Sequence, residues 1–214
     1  MYGRRALPGD CPVTWVLILA NLCTFLLGFL GYPVPDAFAF HTLFPLARPW
    51  TFLTYPLVGA DSVVGVLLSA YVFWLFGGSL ERAWGARDYL VFLGLTALAT
   101  ALSLWIGAAL LDRGAVLGGL WMPVAAATVA WATLNPYERI LVYFAIPVEG
   151  RWLGVLAGVL VFFSFRFPMG LFALAGCGAA WWYARGGRFA ANPLAAYRQW
   201  RRRREFRRLW GRDR

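Results

Sequence analysis

A long apolar run in this chain ends in Phe76-Gly77-Gly78-Ser79-Leu80-Glu81-Arg82-Ala83-Trp84-Gly85. The run begins near Ser62, and the charged pair Glu81-Arg82 follows its last residue directly. About 20 apolar residues are enough to cross the hydrocarbon of a bilayer as one helix. The pattern therefore predicts a membrane-spanning helix over residues 62–80 that ends in a charged turn, formed by Glu81-Arg82 and Arg87-Asp88.

The composition of the whole chain also indicates a membrane protein. Of 214 residues, 61% are hydrophobic and 14% are charged. A soluble domain is about 45–50% apolar and about 25% charged, and a small domain leaves much of its surface in water. This surplus of apolar residues is too large for a water-exposed globule. We therefore expect an all-α, polytopic membrane protein.

The length of the chain leaves room for roughly six spans with short connections. We expect them over residues 13–30, 62–80, 89–111, 117–134, from 148–152 to 165, and 169–183. They would form one membrane domain, 13–184, between an N-terminal segment, 1–12, and a basic tail, 185–214. Residues 137–147 are apolar but too short to span, so they predict an interfacial hairpin or a strand-like piece. A cleaved signal peptide ending near Ala37-Phe38-Ala39 is an alternative, but the first apolar run is longer than such peptides usually have.

The basic residues predict the orientation of the chain in the membrane. The formal net charge is +10, and all the basic side chains are arginines, many of them after Tyr183. Arginines concentrate on the cytoplasmic side of a membrane, so we expect both termini in the cytoplasm and the loop over residues 31–51 outside. The basic tail would bind anionic headgroups. This explanation suffices, so we expect no nucleic-acid partner.

Two motifs resemble the rhomboid superfamily of membrane proteins. One is Arg48-Pro49-Trp50-Thr51-Phe52-Leu53-Thr54-Tyr55-Pro56, and the other is the 76–85 segment with its Phe-Gly-x-x-Leu-Glu and Trp-Gly elements. The resemblance implies a six-transmembrane-helix rhomboid-like bundle. Arginine without lysine is typical of a GC-rich prokaryote, so we expect a bacterial protein in the cell membrane.

The catalytic residues that the resemblance implies are replaced in this chain. Active rhomboids carry a serine nucleophile in Gly-x-Ser-Gly, a histidine base in the last span, and a His-x-x-x-Asn pattern in the second span. The corresponding positions, which we call the predicted groove, hold Gly119, Trp121, Met122, Ala173, Gly65 and Ser69. The resemblance therefore implies an inactive member, a pseudoprotease with no catalytic residues.

The chemistry of the residues supports the same expectation without any alignment. A serine becomes a nucleophile only beside a base, yet His41 is the one histidine, it lies in the first loop, and there is no lysine. Asp36, Asp61, Asp88 and Asp112 all lie in loops or at span edges, whereas an aspartyl mechanism needs two facing carboxylates. Three widely spaced cysteines give no metal pattern. We therefore expect no enzyme activity, no metal and no cofactor.

The function that these residues predict is binding of transmembrane segments of client proteins at the predicted groove. Small residues allow helices to approach closely in lipid, where burial from water no longer drives association. One alternative is a rhomboid serine protease with a non-standard nucleophile such as Ser69 or Cys177; another is a transporter or channel. Trp121 is expected either to fill the former active-site pocket or to be an ordinary core or interface aromatic.

Overall fold

The computed structural model describes residues 11–43, 47–59, 62–142 and 146–187 of the 214. The predicted N-terminal segment, apart from Cys11 and Pro12, and the basic tail beyond residue 187 lie outside these residues. The described part is mostly helical, with two short sheets. In chain order its elements are α1 (Pro12–Phe29), α2 (Val34–Phe38), β1 (Phe40–His41), α3 (Thr51–Thr54), a 3₁₀ turn (Tyr55–Leu57), α4 (Val63–Trp84), α5 (Ala86–Leu111), β2 (Val116–Leu117), α6 (Trp121–Leu134), β3 (Arg139–Val142), β4 (Ile146–Glu149), α7 (Gly150–Ser164), α8 (Met169–Ala173), α9 (Ala175–Trp182) and a π turn (Tyr183–Gly187).

The first three long helices form an up-and-down bundle with two distinct ends. The terminal end holds the start of α1, and the loop end holds the described residues 31–43 and 47–59. Glu81 near the end of α4 accepts a hydrogen bond from Thr14 in the first turn of α1, so these helices are antiparallel. Gly85, with a φ of +87°, reverses the chain between α4 and α5.

The remaining helices continue the alternation. Trp131 near the end of α6 packs on Phe76 in the second half of α4, with ring centroids 5.2 Å apart, so α6 is parallel to α4. The start of α6 contacts the end of α7 through Trp121 and Ser164, so this pair is antiparallel. After α9, the hydroxyl of Tyr183 donates to the carbonyl of Asp88, which returns the chain to the terminal end.

Only part of the six-span prediction is confirmed. Three helices, α1, α4 and α5, are long and apolar enough to cross a membrane. Helices α6 and α7 are apolar but shorter, with 14 and 15 residues, and the last predicted span is divided at Leu174 into α8 and α9. The architecture is that of a helical membrane protein, whereas six complete spans are not confirmed.

Helix α1 has its polar residues inside and its apolar residues outside. Its buried residues are Thr14, Asn21 and Thr24, while Phe29 is 80% exposed and Val16 63% exposed. In water the exposed apolar face would cost free energy, whereas in lipid it contacts acyl chains. The buried polar groups bond to protein atoms, which offsets the cost of their burial.

Two predicted boundaries are wrong for identifiable reasons. The second span was expected to end at residue 80, but α4 continues to Trp84, because Glu81 is buried and hydrogen-bonded inside the bundle. The fourth span was expected to begin at residue 117, but Leu117 belongs to β2, which pairs with β1. Gly119, at a φ of +91°, then interrupts any helix before Trp121.

The two small sheets depart from a purely helical fold. The predicted hairpin is confirmed: β3 and β4 pair antiparallel, with Arg139 opposite Glu149. The pairing of β1 with β2, Phe40 opposite Leu117, was not predicted. This pairing joins the segment between α1 and α4 to the segment between α5 and α6. Beside it, Thr42 and Ala115 form three further hydrogen bonds of 2.7 to 3.1 Å.

Candidate functional site

At the loop end, the residues just before α6 are hydrogen-bonded to the 3₁₀ turn and lie beside a buried cluster. The backbone N–H of Gly119 donates to the carbonyl of Tyr55 at 3.0 Å, which joins the 3₁₀ turn to α6. Tyr55 itself is buried in a cluster that includes Phe40 and Leu104. Burial raises the pKa of its phenol well above the ordinary value, and the hydrogen bond to the Thr100 side chain opposes this only in part. Tyr55 is therefore a neutral structural anchor.

The structure brings some residues of the predicted groove together, but inside the core. Met122 is 8% exposed and Ala173 is 1% exposed, and both belong to the buried cluster around Tyr55. Gly119 is buried in the turn before α6. These three residues fill the bundle where an open groove was expected.

The other residues of the predicted groove lie away from this cluster. Gly65 lies in the first turn of α4, where its N–H donates to the side chain of Ser62. The Ser69 hydroxyl donates to the carbonyl of Val66 in its own helix, at 3.0 Å. Neither residue belongs to a buried cluster of the described chain. The six positions thus do not form one continuous surface.

Trp121 points outward instead of filling a pocket. Its side chain is 41% exposed, and its indole N–H donates to the hydroxyl of Ser164 at the end of α7, at 3.1 Å. The Ser164 hydroxyl in turn donates to the carbonyl of Leu160, at 2.7 Å. The two helices therefore share a small polar pair on an otherwise apolar surface. We call this surface the α6–α7 face; its exposed members are Trp121, Leu156, Val159, Leu160, Phe163 and Ser164.

A cleft of about 400 Å³ opens at the loop end. It is lined by Asp36, Ala39, His41, Ala47, Arg48 and Thr51. His41 is exposed on β1, as its loop position predicted. Neither serine nor cysteine lines this cleft. Within the described ranges, no three His, Cys, Asp or Glu side chains come together as metal ligands do.

The most strongly bonded polar residues were not predicted from the sequence. Glu81, 2% exposed, accepts hydrogen bonds from the start of α1. Asn21 donates its side-chain amide to the carbonyls of Pro56 and Val58. The sequence did contain a pattern that predicts these buried hydrogen bonds. Thr14, Asn21 and Thr24 recur at helical spacing in an apolar run, and polar residues in a span usually face the protein interior.

Helix α1 exposes apolar residues and buries polar ones, and Glu81 and Asn21 form hydrogen bonds inside the bundle. Together these features define an integral membrane protein built from helices. Residues 13–186 match the family described as "Eukaryotic integral membrane protein (DUF1751)", and the chain belongs to that family. No curated protein matches the chain.

This family membership overturns the rhomboid assignment and the bacterial origin. The matching family is a different one and is described as eukaryotic, so neither a rhomboid pseudoprotease nor a prokaryotic cell membrane is supported. The structure explains why the motifs misled. Glu81 caps α1, Gly85 makes the α4–α5 turn, and Trp84 packs on Phe92 and Tyr183 at 5.2 and 5.4 Å. These contacts stabilise the α4–α5 hairpin and its packing, and motifs that serve packing do not identify one family.

Proposed function

We propose that this protein is a non-enzymatic, multi-pass membrane protein that binds transmembrane segments of other membrane proteins at the α6–α7 face. The observation that carries the proposal is the hydrogen bond between Trp121 and Ser164, a polar pair on a lipid-facing surface. The indole N–H and the hydroxyl proton are both donated within the chain, but the Ser164 oxygen keeps one acceptor site for a polar group of a partner helix. Interhelical bonds of this kind contribute about 0.6 kcal/mol on average.

The length of α6 and α7 favours a partner on this side of the bundle. With 14 and 15 residues, they span about 21–23 Å at 1.5 Å per residue. The hydrocarbon core is about 30 Å thick. Short helices thin the bilayer around them or associate with other helices, because either response reduces the mismatch. A helix bound beside α7 would relieve the mismatch at both partners.

Apolar side chains on the outer surface of α7 offer contact area to a second helix. Val155, Val159 and Phe163 are 58%, 44% and 76% exposed. Gly158 is different, because a Cβ built on it would meet Leu174 Cδ2 at 4.0 Å, so this glycine lies beside the junction of α8 and α9. In lipid, packing of such apolar surfaces contributes to the association of helices.

The proposal that the protein is not an enzyme rests on the positions of its polar groups. His41 lines the cleft at the loop end, and neither a serine nor a cysteine lines the same cleft. The hydroxyls of Ser69 and Ser164 donate to carbonyls of their own helices. A serine in that state has no base to take its proton. Incubation of the purified protein with a fluorophosphonate probe should leave it unlabelled.

The same proposal includes the orientation of the chain and its lipid partner. Arg82, Arg87, Arg139, Arg151 and Arg185 lie at the terminal end, against Arg48, Arg113 and Arg166 at the loop end. By the positive-inside rule, the terminal end is cytoplasmic. Arg185 stacks over Trp181 at 4.2 Å, as a residue at the level of anionic headgroups would.

Site-specific photocrosslinking tests the binding function. A photoreactive residue at Leu160, 44% exposed on the α6–α7 face, is compared with one at Ile106, 53% exposed on α5. We expect crosslinks to transmembrane segments from Leu160 and only to lipid from Ile106, with the crosslinked peptides identified by mass spectrometry. Trp121→Phe and Ser164→Ala should reduce the Leu160 crosslinks. Equal protein crosslinking from both positions, or lipid alone at both, would refute the proposal.

A further inference from the structure

The cleft at the loop end contains opposite charges that do not neutralise each other. One guanidinium N–H of Arg48 donates to the backbone carbonyl of Asp36 at 2.8 Å, and among the described residues no ion pair involves the carboxylate of Asp36. Over the described ranges, the ion pairs found involve only Glu149 with Arg139 and Arg151. Asp36, His41 and Arg48 are therefore unpaired charged or titratable groups around one cavity.

The surroundings of the cleft are those of the membrane–water interface. Trp50 is 53% exposed next to it and donates its indole N–H to the carbonyl of Ala37 at 3.2 Å. Leu53, one turn along, is 51% exposed. Indole side chains prefer the headgroup level of a bilayer. An occupant of the cleft would have its polar part between the charged groups and its apolar part beside Leu53.

We propose that this cleft binds the phosphoethanolamine headgroup of a zwitterionic phospholipid. The guanidinium of Arg48 and the imidazole of His41 bind the phosphate, and the carboxylate of Asp36 binds the primary ammonium. Arginine has five N–H donors in a planar fork that suits phosphate oxygens, and all but those on the carbonyl of Asp36 remain available. The floor of the cleft, Thr51 and Ala39, is buried and gives the headgroup a fixed base.

The separated charges define which headgroups the cleft discriminates against. An anionic glycerol headgroup would leave the carboxylate of Asp36 facing a phosphate with no cation between them. A choline headgroup has a cation but no N–H to donate to this carboxylate. Discrimination of this kind arises from leaving a polar group unpaired in the wrong complex. The order of affinity is therefore ethanolamine over choline and over glycerol.

Native mass spectrometry of the full-length protein in detergent tests this order. The protein is titrated with phosphatidylethanolamine, phosphatidylcholine and phosphatidylglycerol of identical acyl chains. Asp36→Asn is the decisive variant, because it keeps the backbone carbonyl that binds Arg48. We expect it to weaken ethanolamine binding about fivefold and to abolish the preference over choline. Arg48→Gln should weaken all three lipids.

Two control variants have the same chemistry at the same end of the bundle. Arg113 also donates to a backbone carbonyl, that of Phe167, at 3.1 Å. Neither Arg113 nor its neighbour Asp112 lines the cleft. Arg113→Gln and Asp112→Asn should leave the affinities unchanged. Free phosphoethanolamine added as a competitor distinguishes a soluble ligand, if it displaces the lipid, from a membrane lipid, if it does not; both results support the assigned chemistry. Equal binding of all lipids by the native chain, or equal losses in the control variants, would overturn it.

Discussion

The hydroxyl and the backbone N–H of Thr14 both donate to the same carboxylate oxygen of Glu81, at 2.7 and 2.8 Å. The other oxygen accepts from the N–H of Val13 at 2.9 Å. Pro12, the first residue of α1, has no N–H to satisfy. One buried side chain of α4 therefore satisfies the first free donors of α1 and places a negative charge at the positive end of its dipole.

Replacing this carboxylate should destabilise the protein more than any surface change. Glu81→Gln keeps one acceptor oxygen but presents an N–H₂ group to donors, so we expect a loss of about 2 kcal/mol in the free energy of unfolding, measured by SDS titration in micelles. Glu138→Gln, an exposed change at the same end, is the control and should stay within about 0.5 kcal/mol. A Glu81→Gln protein as stable as the native chain would show that the cap contributes nothing.

Asn21, in the middle of α1, connects this helix to the 3₁₀ turn in a similar way. Its amide donates to the carbonyls of Pro56 and Val58, and the Thr24 hydroxyl donates to the carbonyl of Leu57. Asn21→Leu should free the 55–59 segment while keeping the helix, because leucine is a good helix former. We expect faster hydrogen exchange in peptides covering residues 55–59 and a loss of about 1–3 kcal/mol. Leu22→Ala, on the lipid side of the same helix, should leave this exchange unchanged; equal exchange in both variants would contradict the role of Asn21.

Much of the fold was accessible from the sequence because lipid simplifies the rules. A backbone in hydrocarbon must satisfy its own hydrogen bonds, so long apolar runs indicate helices, and α1, α4 and α5 appear close to the predicted residues. The short elements were harder. Leu117 lies in an apolar run, but a pairing partner 77 residues earlier, Phe40, places it in a strand. No local pattern indicates such a long-range pair.

Which residues of the predicted groove share a surface was harder to foresee, for a different reason. Residue types were transferred to positions by resemblance. One of the two motifs behind that resemblance, the 76–85 segment, builds the α4–α5 hairpin through Glu81, Trp84 and Gly85. Motifs that serve packing indicate a fold more than a function. The outward position of Trp121 and the burial of Met122 depend on the rotation of α6, which Gly119 sets through its turn. Periodicity in an almost wholly apolar helix does not determine that rotation.

Substitution of Gly85 tests whether backbone conformation alone explains why a glycine follows Trp84. The φ of +87° and ψ of 156° at Gly85 are available almost only to glycine, yet a Cβ there would meet no atom within 4 Å. Gly85→Ala should therefore cost about 1–3 kcal/mol of unfolding free energy through strain without any clash. Gly94→Ala, in the interior of α5 and also in open space, should be neutral or stabilising by up to about 1 kcal/mol. The same effect at both positions would exclude strain as the cause.

Gly176 and Gly178 lie two residues apart in α9. Comparing an alanine substitution at each of them distinguishes the effect of close packing on stability from that of helix propensity. A Cβ on Gly176 would overlap the Thr100 hydroxyl of α5 and lie 3.3 Å from the carbonyl of Thr96, whereas one on Gly178 would meet nothing within 4 Å. The Thr100 hydroxyl already donates to that carbonyl at 2.8 Å, so it cannot move without losing a buried bond. Gly176→Ala should thus lower the free energy of unfolding by about 1–3 kcal/mol through overpacking, and Gly178→Ala should raise it slightly or leave it unchanged. The measurement is SDS titration of both variants side by side. If Gly176→Ala were as stable as Gly178→Ala, α9 would not pack against α5 at this distance.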